Sequence, residues 1–398
     1  MRLSADLQQE LVVARSQTDQ LFCLLDPAAL YDRPIPERHR IIFYLGHLEA
    51  FDWNHLGRRC LDVPAFHPSF DSLFERGIDP APGQLPSDMP QDWPSVEEVR
   101  AYNFQVREKL DALWEETPRE RRQMVIEHRQ MHAETFAYML HNLAPGKKHP
   151  QSQPALPPLH AAPRQEMILI PAGYATLGQP RNGEFGWDNE FEEHRIFTPA
   201  FRIMNHKVTN REYLDFIREG GAPSHFWERN GSEWLYRGMF GVEPLPPDAP
   251  VYVTRDQALA YAKWKGLSLP TEAQYHRAAF GTPDGEAASL PRNGGGNKDF
   301  RFWDPVPVNA TPEDVSAWGV SQLGGNGWEW TASVFAPFDG FESTAYYPGY
   351  SSDFFDGHHY VVKGASARTA AQLTRRSFRN WYRSEYPYTY TGFRLAGK

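Results

Sequence analysis

The sequence predicts an α+β protein of two domains, an N-terminal four-helix bundle and a C-terminal domain of short strands and scattered helices. Three observations predict it. Helical apolar patterns fill residues 1–143, a Pro-rich stretch follows at 144–164, and residues 165–398 change to short strand patterns, frequent turns and abundant Trp and Tyr. At 398 residues the chain can build two or three cores.

Composition narrows the function classes. Lys+Arg 41 against Asp+Glu 50 gives a formal net charge of −9, with no basic block, which argues against a nucleic-acid or anionic-membrane partner. The start, MRLSADLQQELVV, lacks a cleavable apolar core, and no apolar run reaches membrane-spanning length, so a cytoplasmic protein is expected. Cys23 and Cys60 are too few for a disulfide scaffold and are expected as buried thiols.

The bundle reads element by element. Residues 6–25 carry Leu7, Leu11, Val12, Leu21, Phe22 and Leu25 before Asp26-Pro27 stops the helix. Residues 38–61 place Ile41, Tyr44, Leu45, Leu48, Phe51 and Trp53 on a broad apolar face. Residues 66–93, rich in Pro and Asp, read as an excursion without an element of its own. Ser95-Val-Glu-Glu opens a third helix through a capping box, running to about Trp114. The fourth helix contains EHRQMHAETFAYMLHNL, residues 127–143, with no Pro or Gly until Pro145.

That fourth helix carries His128 and His132. Residues four apart share a helix face, with Cβ atoms about 6 Å apart, so two imidazoles can reach one divalent metal. The spacing also occurs as a surface accident, and a complete site needs a ligand from a facing helix. His47, in mid-helix among Tyr44, Leu48 and Phe51, is the leading candidate, although a core histidine bonded to a carbonyl would look the same. His39 and His55 lie nearer helix ends, and Glu49 or Glu134 would instead complete a two-His-one-carboxylate set. Ligand type alone leaves iron(II) and zinc both open.

Past the Pro-rich stretch, MILIPAGYATLG at 167–178 reads as strand, turn and strand. Two helices capped by Thr follow, one near Val208 and one from Thr254. Then Leu269-Pro-Thr-Glu-Ala-Gln-Tyr-His-Arg-Ala-Ala-Phe-Gly, Leu323-Gly-Gly-Asn-Gly-Trp-Glu-Trp-Thr and Gly392-Phe-Arg-Leu-Ala occur in order. These segments resemble the formylglycine-generating-enzyme-like domain, which has a C-type-lectin-like fold. True formylglycine-generating oxidases carry catalytic cysteines there; no cysteine follows Cys60 here, so that activity is not expected.

Joined to a DinB-like bundle, and with Phe185-Gly-Trp-Asp-Asn-Glu-Phe, the chain resembles the ergothioneine-synthase type of nonheme iron enzyme. Those enzymes use iron(II) and O2 to join a sulfur donor to C2 of the imidazole of hercynine, trimethylated histidine. The resemblance implies Fe(2+) as cofactor, held by His47, His128 and His132, and small-molecule substrates: hercynine, O2 and a chalcogen donor. Asn380 and Trp381, in Phe378-Arg-Asn-Trp, match the segment that lines the hercynine pocket. The family's catalytic tyrosine falls among Tyr346, Tyr347 and Tyr350, with Tyr346 and Tyr347 the leading pair.

Departures from that family concern the donor. Synthases that take γ-glutamylcysteine hold its charges with arginines after the second helix, and with an Asp after the Asn-Trp paired to an Arg four residues on. Here residues 77–99 contain no Lys or Arg, and Tyr382 and Tyr386 stand at the Asp and Arg positions. Buried charges of such a dipeptide would be left poorly paired, whereas tyrosines suit a neutral polyhydroxylated donor. With Leu48-Glu-Ala-Phe-Asp-Trp and Glu127-His-Arg-Gln-Met-His, where Met131 replaces the usual Gln, the pattern resembles the selenoneine-synthase branch, which couples hercynine to a selenosugar. The expected substrate contacts are therefore Asn380, Trp381, Tyr382 and Tyr386. A thiol donor is the alternative, and Arg383 would still favour a carboxylate. Two other classes are a lectin-like binding module without chemistry, which the intact triad opposes, and a zinc-dependent thiol transferase, which O2 consumption would exclude.

Overall fold

The computed structural model describes residues 7–78, 84–156, 162–287, 289–290 and 296–398. Residues 79–83, part of the 77–99 segment, and 157–161, part of the Pro-rich stretch, lie outside the described residues. The chain divides into two compact units between residues 151 and 152.

The first unit is helical: α1 (Leu7–Cys23), α2 (Ile41–Asp52), α3 (Pro68–Arg76), α4 (Val96–Leu113) and α5 (Arg119–His141). All 12 residues of α2 are buried, because it is apolar round most of its circumference and packs on α3, α4 and α5. α1 lies along α5. At the end of α2 the ladder widens into a π-helical turn, Trp53–Arg58, a geometry frequent at functional sites. Ser95 caps α4 reciprocally with Glu98, as its capping box predicts.

Two expectations need correction. Residues 66–93 are not an excursion without structure, since they hold α3. Pro68 at its first position pre-sets φ, and His67 Nδ1 accepts from the Phe70 N–H (3.4 Å). Phe70, Leu73 and Phe74 recur at helical spacing, a stripe masked by the neighbouring Pro and Asp residues. Nor are the cysteines buried: Cys23 is exposed and Cys60 half-exposed, both as free thiols. Cys23 sits two residues past the inward-facing Leu21, about 200° round the helix, and Cys60 lies in the turn beyond the π segment.

In the second unit Met167–Ile170 pairs antiparallel with Phe201–Met204, which also pairs with Ala396–Gly397. A four-stranded sheet runs in the order Asn380–Arg383, His359–Ala365, Gly327–Val334, Thr391–Gly392, the last joined parallel. Three helices, α6 (Asn210–Arg218), α7 (Arg255–Lys265) and α8 (Glu272–Phe280), each start from a threonine whose hydroxyl caps the first turn. Ile170, Phe201, Ile203, Tyr275, Phe280 and Leu323 belong to the core. Glu329 and Arg394 are fully buried and bonded (Nη2 to Oε1, 2.8 Å), and Lys207 Nζ lies 3.2 Å from the same oxygen. The Trp-Glu-Trp and Gly-Phe-Arg segments thus supply the charged centre of this core. Among the described residues no helix is long and apolar enough to cross a membrane.

Candidate functional site

His47 from α2 and His128 and His132 from α5 converge, with one ring nitrogen of each within 4.8 Å of the others. Among the described residues this is the one such group of histidine, cysteine and carboxylate side chains. The helical register brings His128 and His132 to one face, and the fully buried α2 turns His47 toward them. Aromatic rings wall the group. Phe51 lies flat on His128 (3.4 Å, 8°), Phe43 stacks on His47 (4.8 Å), and Tyr44 stands 6.0 Å from His132.

Burial sets the charge state. It pushes His47 down to about 4, and it holds His128 and His132 well below the ordinary histidine value, with the neighbouring imidazoles adding to the effect. All three are therefore neutral at pH 7, the form that offers lone pairs to a metal. His47 Nδ1 is bonded to the Phe74 carbonyl (2.7 Å), whereas Nδ1 of His128 and of His132 is buried without a hydrogen-bond partner. Converging neutral nitrogens with orphaned polar atoms beside an aromatic wall fit one divalent ion with open coordination positions.

The other ligand candidates are engaged elsewhere. Both oxygens of Glu49 bond Arg129 (3.1 and 2.9 Å), and Oε1 also accepts twice from Arg107 (2.9 and 2.6 Å). Although burial favours the protonated acid, these guanidinium groups hold Glu49 down to about 2. Arg129 also donates to Asp52 (2.7 Å), whose other oxygen has no partner; burial pushes Asp52 up to about 6. His55 lies tilted against Phe51 (4.1 Å) and bonds Arg59 (3.0 Å), while His39 lies against Phe43 (4.3 Å). Glu134 is buried but lies outside this group of three histidines.

In the second unit, strand Asn380–Arg383 pairs Asn380 with Val362 and Trp381 with Val361. Neighbours on a strand face opposite ways. Asn380 and Tyr382 share one face, where Asn380 Nδ2 donates to the Tyr382 hydroxyl (3.1 Å) and Tyr386 stacks parallel to Tyr382 at 6.2 Å. Trp381 takes the other. It lies flat on Phe335 (4.1 Å, 9°), with Tyr350 nearly perpendicular at 5.6 Å and Phe354 at 5.4 Å. Tyr350 stacks on Trp187 (4.0 Å), and Tyr347 lies 5.7 Å from Tyr350. The expected site residues of this unit thus fall into two groups, Asn380 with Tyr382 and Tyr386, and Trp381 with Tyr347. Tyr346 is half-buried on the same segment as Tyr347.

Hydrogen bonds clamp the segment that presents Trp187. Glu190, fully buried, accepts from the Trp187 N–H (2.9 Å), Arg375 Nε (2.8 Å) and Ser377 Oγ (2.6 Å). Asn189 donates to Ser351 Oγ (2.9 Å), and Ser351 donates to Asp188, which ties this segment to the one carrying Tyr350. Sequence reasoning does not reach three contributors. The Phe74 carbonyl lies on the helix that Pro and Asp masked, and Phe335 and Phe354 follow no periodic pattern.

Comparisons with known proteins agree with this organisation. Residues 152–398 match the sulfatase-modifying factor enzyme 1-like domain family, and residues 10–142 match the DinB superfamily. Hercynine oxygenase of Mycolicibacterium thermoresistibile is 30% identical over 98% of this chain and 94% of that protein. Hercynine oxygenase of Mycolicibacterium smegmatis is 34% identical over 75% of this chain and 77% of its own length. Ergothioneine biosynthesis protein 1 of Neurospora crassa is 27% identical over 94% of this chain, which spans only 55% of that longer protein. The paired domains and the near full-length match to the bacterial proteins place the chain in the hercynine oxygenase family, as an ergothioneine-synthase-like enzyme.

Proposed function

We propose that this protein is an iron(II)- and O2-dependent enzyme that couples C2 of the hercynine imidazole to a chalcogen donor, and that its donor is a selenosugar. The observation that carries the reading is the convergence of buried His47 and His128 and half-buried His132, with ring nitrogens within 4.8 Å of one another. Iron held there would supply O2 activation at the positions three imidazoles leave open.

The chain's own residues bind, orient and protonate. Trp381, with Tyr350 and Trp187 nearby, offers aromatic faces to a trimethylammonium group. Arg379 lies behind Phe335 (5.0 Å), but Glu272 pairs with it (3.1 and 3.3 Å), which spares a bound cation its repulsion. The proton donor is drawn from Tyr346 and Tyr347, and the place of Tyr347 beside Tyr350 supports the latter.

The donor assignment rests on missing charge. Residues 77–99 carry no Lys or Arg, and their Asp88 is itself held by Arg33 and by Arg40 (Nε to Oδ2, 2.9 Å). Tyr382 and Tyr386 present rings and hydroxyls suited to a neutral sugar. A selenol ionises well below a thiol, so it arrives as the reactive anion without a protein base.

The test is anaerobic reconstitution with iron(II), then O2 with hercynine and competing selenosugar, γ-glutamylcysteine and cysteine. Much higher kcat/KM with the selenosugar is expected. Tyr382→Asp with Tyr386→Arg should move preference toward the charged thiol. If the wild type turns over γ-glutamylcysteine equally well, the selenium donor is rejected and hercynine sulfoxide formation with a thiol stands instead.

A further inference from the structure

We propose that α3 is the positioning element of the metal site: the Phe74 carbonyl fixes His47 in one tautomer, and Gly46 is glycine because that contact requires it. The inference rests on the metal reading of the triad and adds to it a backbone group on a helix that contributes no ligand.

The contact is specific. His47 Nδ1 lies 2.7 Å from the Phe74 oxygen, and a carbonyl can only accept, so the proton sits on Nδ1 and the lone pair on Nε2. Such a bond orients the ring and raises the basicity of the opposite nitrogen. Neither partner on α5 has this support. Nδ1 of His128 and of His132 is buried and unbonded, so those rings are placed by the α5 register and by stacking. His47 is the ligand whose direction is set by a hydrogen bond.

Gly46 makes the approach possible. A Cβ at Gly46 would stand 2.5 Å from Cγ and Cδ1 of the Phe74 ring, closer than real contacts allow. The ring is fully buried and cannot swing outward, so an added methyl must push α3, and with it the carbonyl, away from His47. α3 is also held in place at Asp71. Asp71 accepts from the Tyr102 hydroxyl (2.8 Å), and Asn54 on the π turn donates to the Asp71 carbonyl (2.9 Å). The π turn that follows the His47 helix therefore grips the helix that orients His47.

Two readouts test this, one of them independent of metal. In metal-free wild-type protein, nitrogen-15 NMR of the histidines should show His47 neutral with its proton on Nδ1; a proton on Nε2 overturns the proposal. Competition with a chelator then measures iron(II) affinity. Gly46→Ala should weaken it by about 10–100-fold and lose the single tautomer. Gly46→Ala combined with Phe74→Ala removes the ring atoms the methyl meets, so it should recover most of the affinity and the tautomer. Unchanged affinity in Gly46→Ala, or no recovery in the double variant when circular dichroism shows it folded, overturns the proposal. A wild type that binds no metal would reject the metal reading itself, a failure distinct from these.

Discussion

A buried arginine stands behind each candidate site, and the two are neutralised differently. In the first unit Arg129, the residue after His128, faces Glu49 and Asp52 (2.9 and 2.7 Å), and Glu49 is shared with Arg107. In the second, Arg379 faces one carboxylate, Glu272, and spends its remaining donors on the Asn189 and Ala336 carbonyls while lying over Phe335 and Phe338. The helical site thus keeps its charges packed away from three neutral imidazoles. The strand-built face keeps its cation one ring behind Trp381. A metal ion brings its own charge and needs a neutral, desolvated donor set, whereas an organic cation needs exposed ring faces with no competing cation in front.

The first consequence is the largest. If the neutral imidazoles of the first unit are the metal donors, His128→Ala or His132→Ala should cost at least about a hundredfold in iron(II) affinity, more than losing an outer-shell partner usually costs. Each apo variant should still fold, because the lost ring was desolvated and, at Nδ1, without a partner. Metal analysis beside circular dichroism checks both halves. Full iron occupancy in both variants would sink the site.

The second consequence tests how the first unit neutralises Arg129. Asp52 is pushed up to about 6, above its unfolded value near 3.8, so its contribution is fully present below pH 3.8 and is lost as pH rises through 6. His47 works against this slope. Its folded pKa is depressed to about 4, so its contribution is present above 6.5 and lost as pH falls through 4. The two effects are separated by difference. In urea titrations of apo protein, Asp52→Asn should gain on the wild type by roughly 1–3 kcal/mol between pH 4 and pH 7, since the histidine term cancels. A difference that stays flat across that window would mean Asp52 is ionised throughout, with Arg129 bound to both carboxylates as anions.

The two sites were unequally legible in the sequence, for physical reasons. Helical periodicity carries geometry: the four-residue spacing of His128 and His132 fixes their shared face, and an apolar surround marks His47 as inward. The competing reading of His47 expects a bond to a carbonyl, and Nδ1 does bond the Phe74 carbonyl, which leaves Nε2 as the nitrogen that could take a metal. What stayed hidden was α3, whose Phe stripe is short and lies among prolines. The strand face was harder. Adjacent Asn380 and Trp381 read as one motif, but alternation separates them onto two faces. The rings round Trp381 come from residues 335, 350 and 354, with Trp187 stacked on Tyr350, and no spacing rule links them.

The last consequence turns that separation into a measurement. Phe335 lies flat on one face of the half-buried Trp381 indole, and Tyr350 and Phe354 stand at an angle to it, an aromatic cluster able to take a quaternary ammonium. A cation–π contact of about 1–2 kcal/mol corresponds to roughly 5–30-fold in affinity. Trp381→Ala should therefore weaken hercynine by about that factor and free histidine by much less, since a primary ammonium stays better hydrated. The Asn380 side chain lies on the face opposite the Trp381 indole, accepting from the Trp381 N–H (2.8 Å) and donating to Tyr382, so Asn380→Ala should weaken both ligands alike. Calorimetric titration of the two ligands into wild type and both variants gives the four ratios. Equal losses of hercynine and histidine in Trp381→Ala would show that the methylated nitrogen is recognised elsewhere. A selective loss of hercynine in Asn380→Ala would move its pocket to the Tyr382 face.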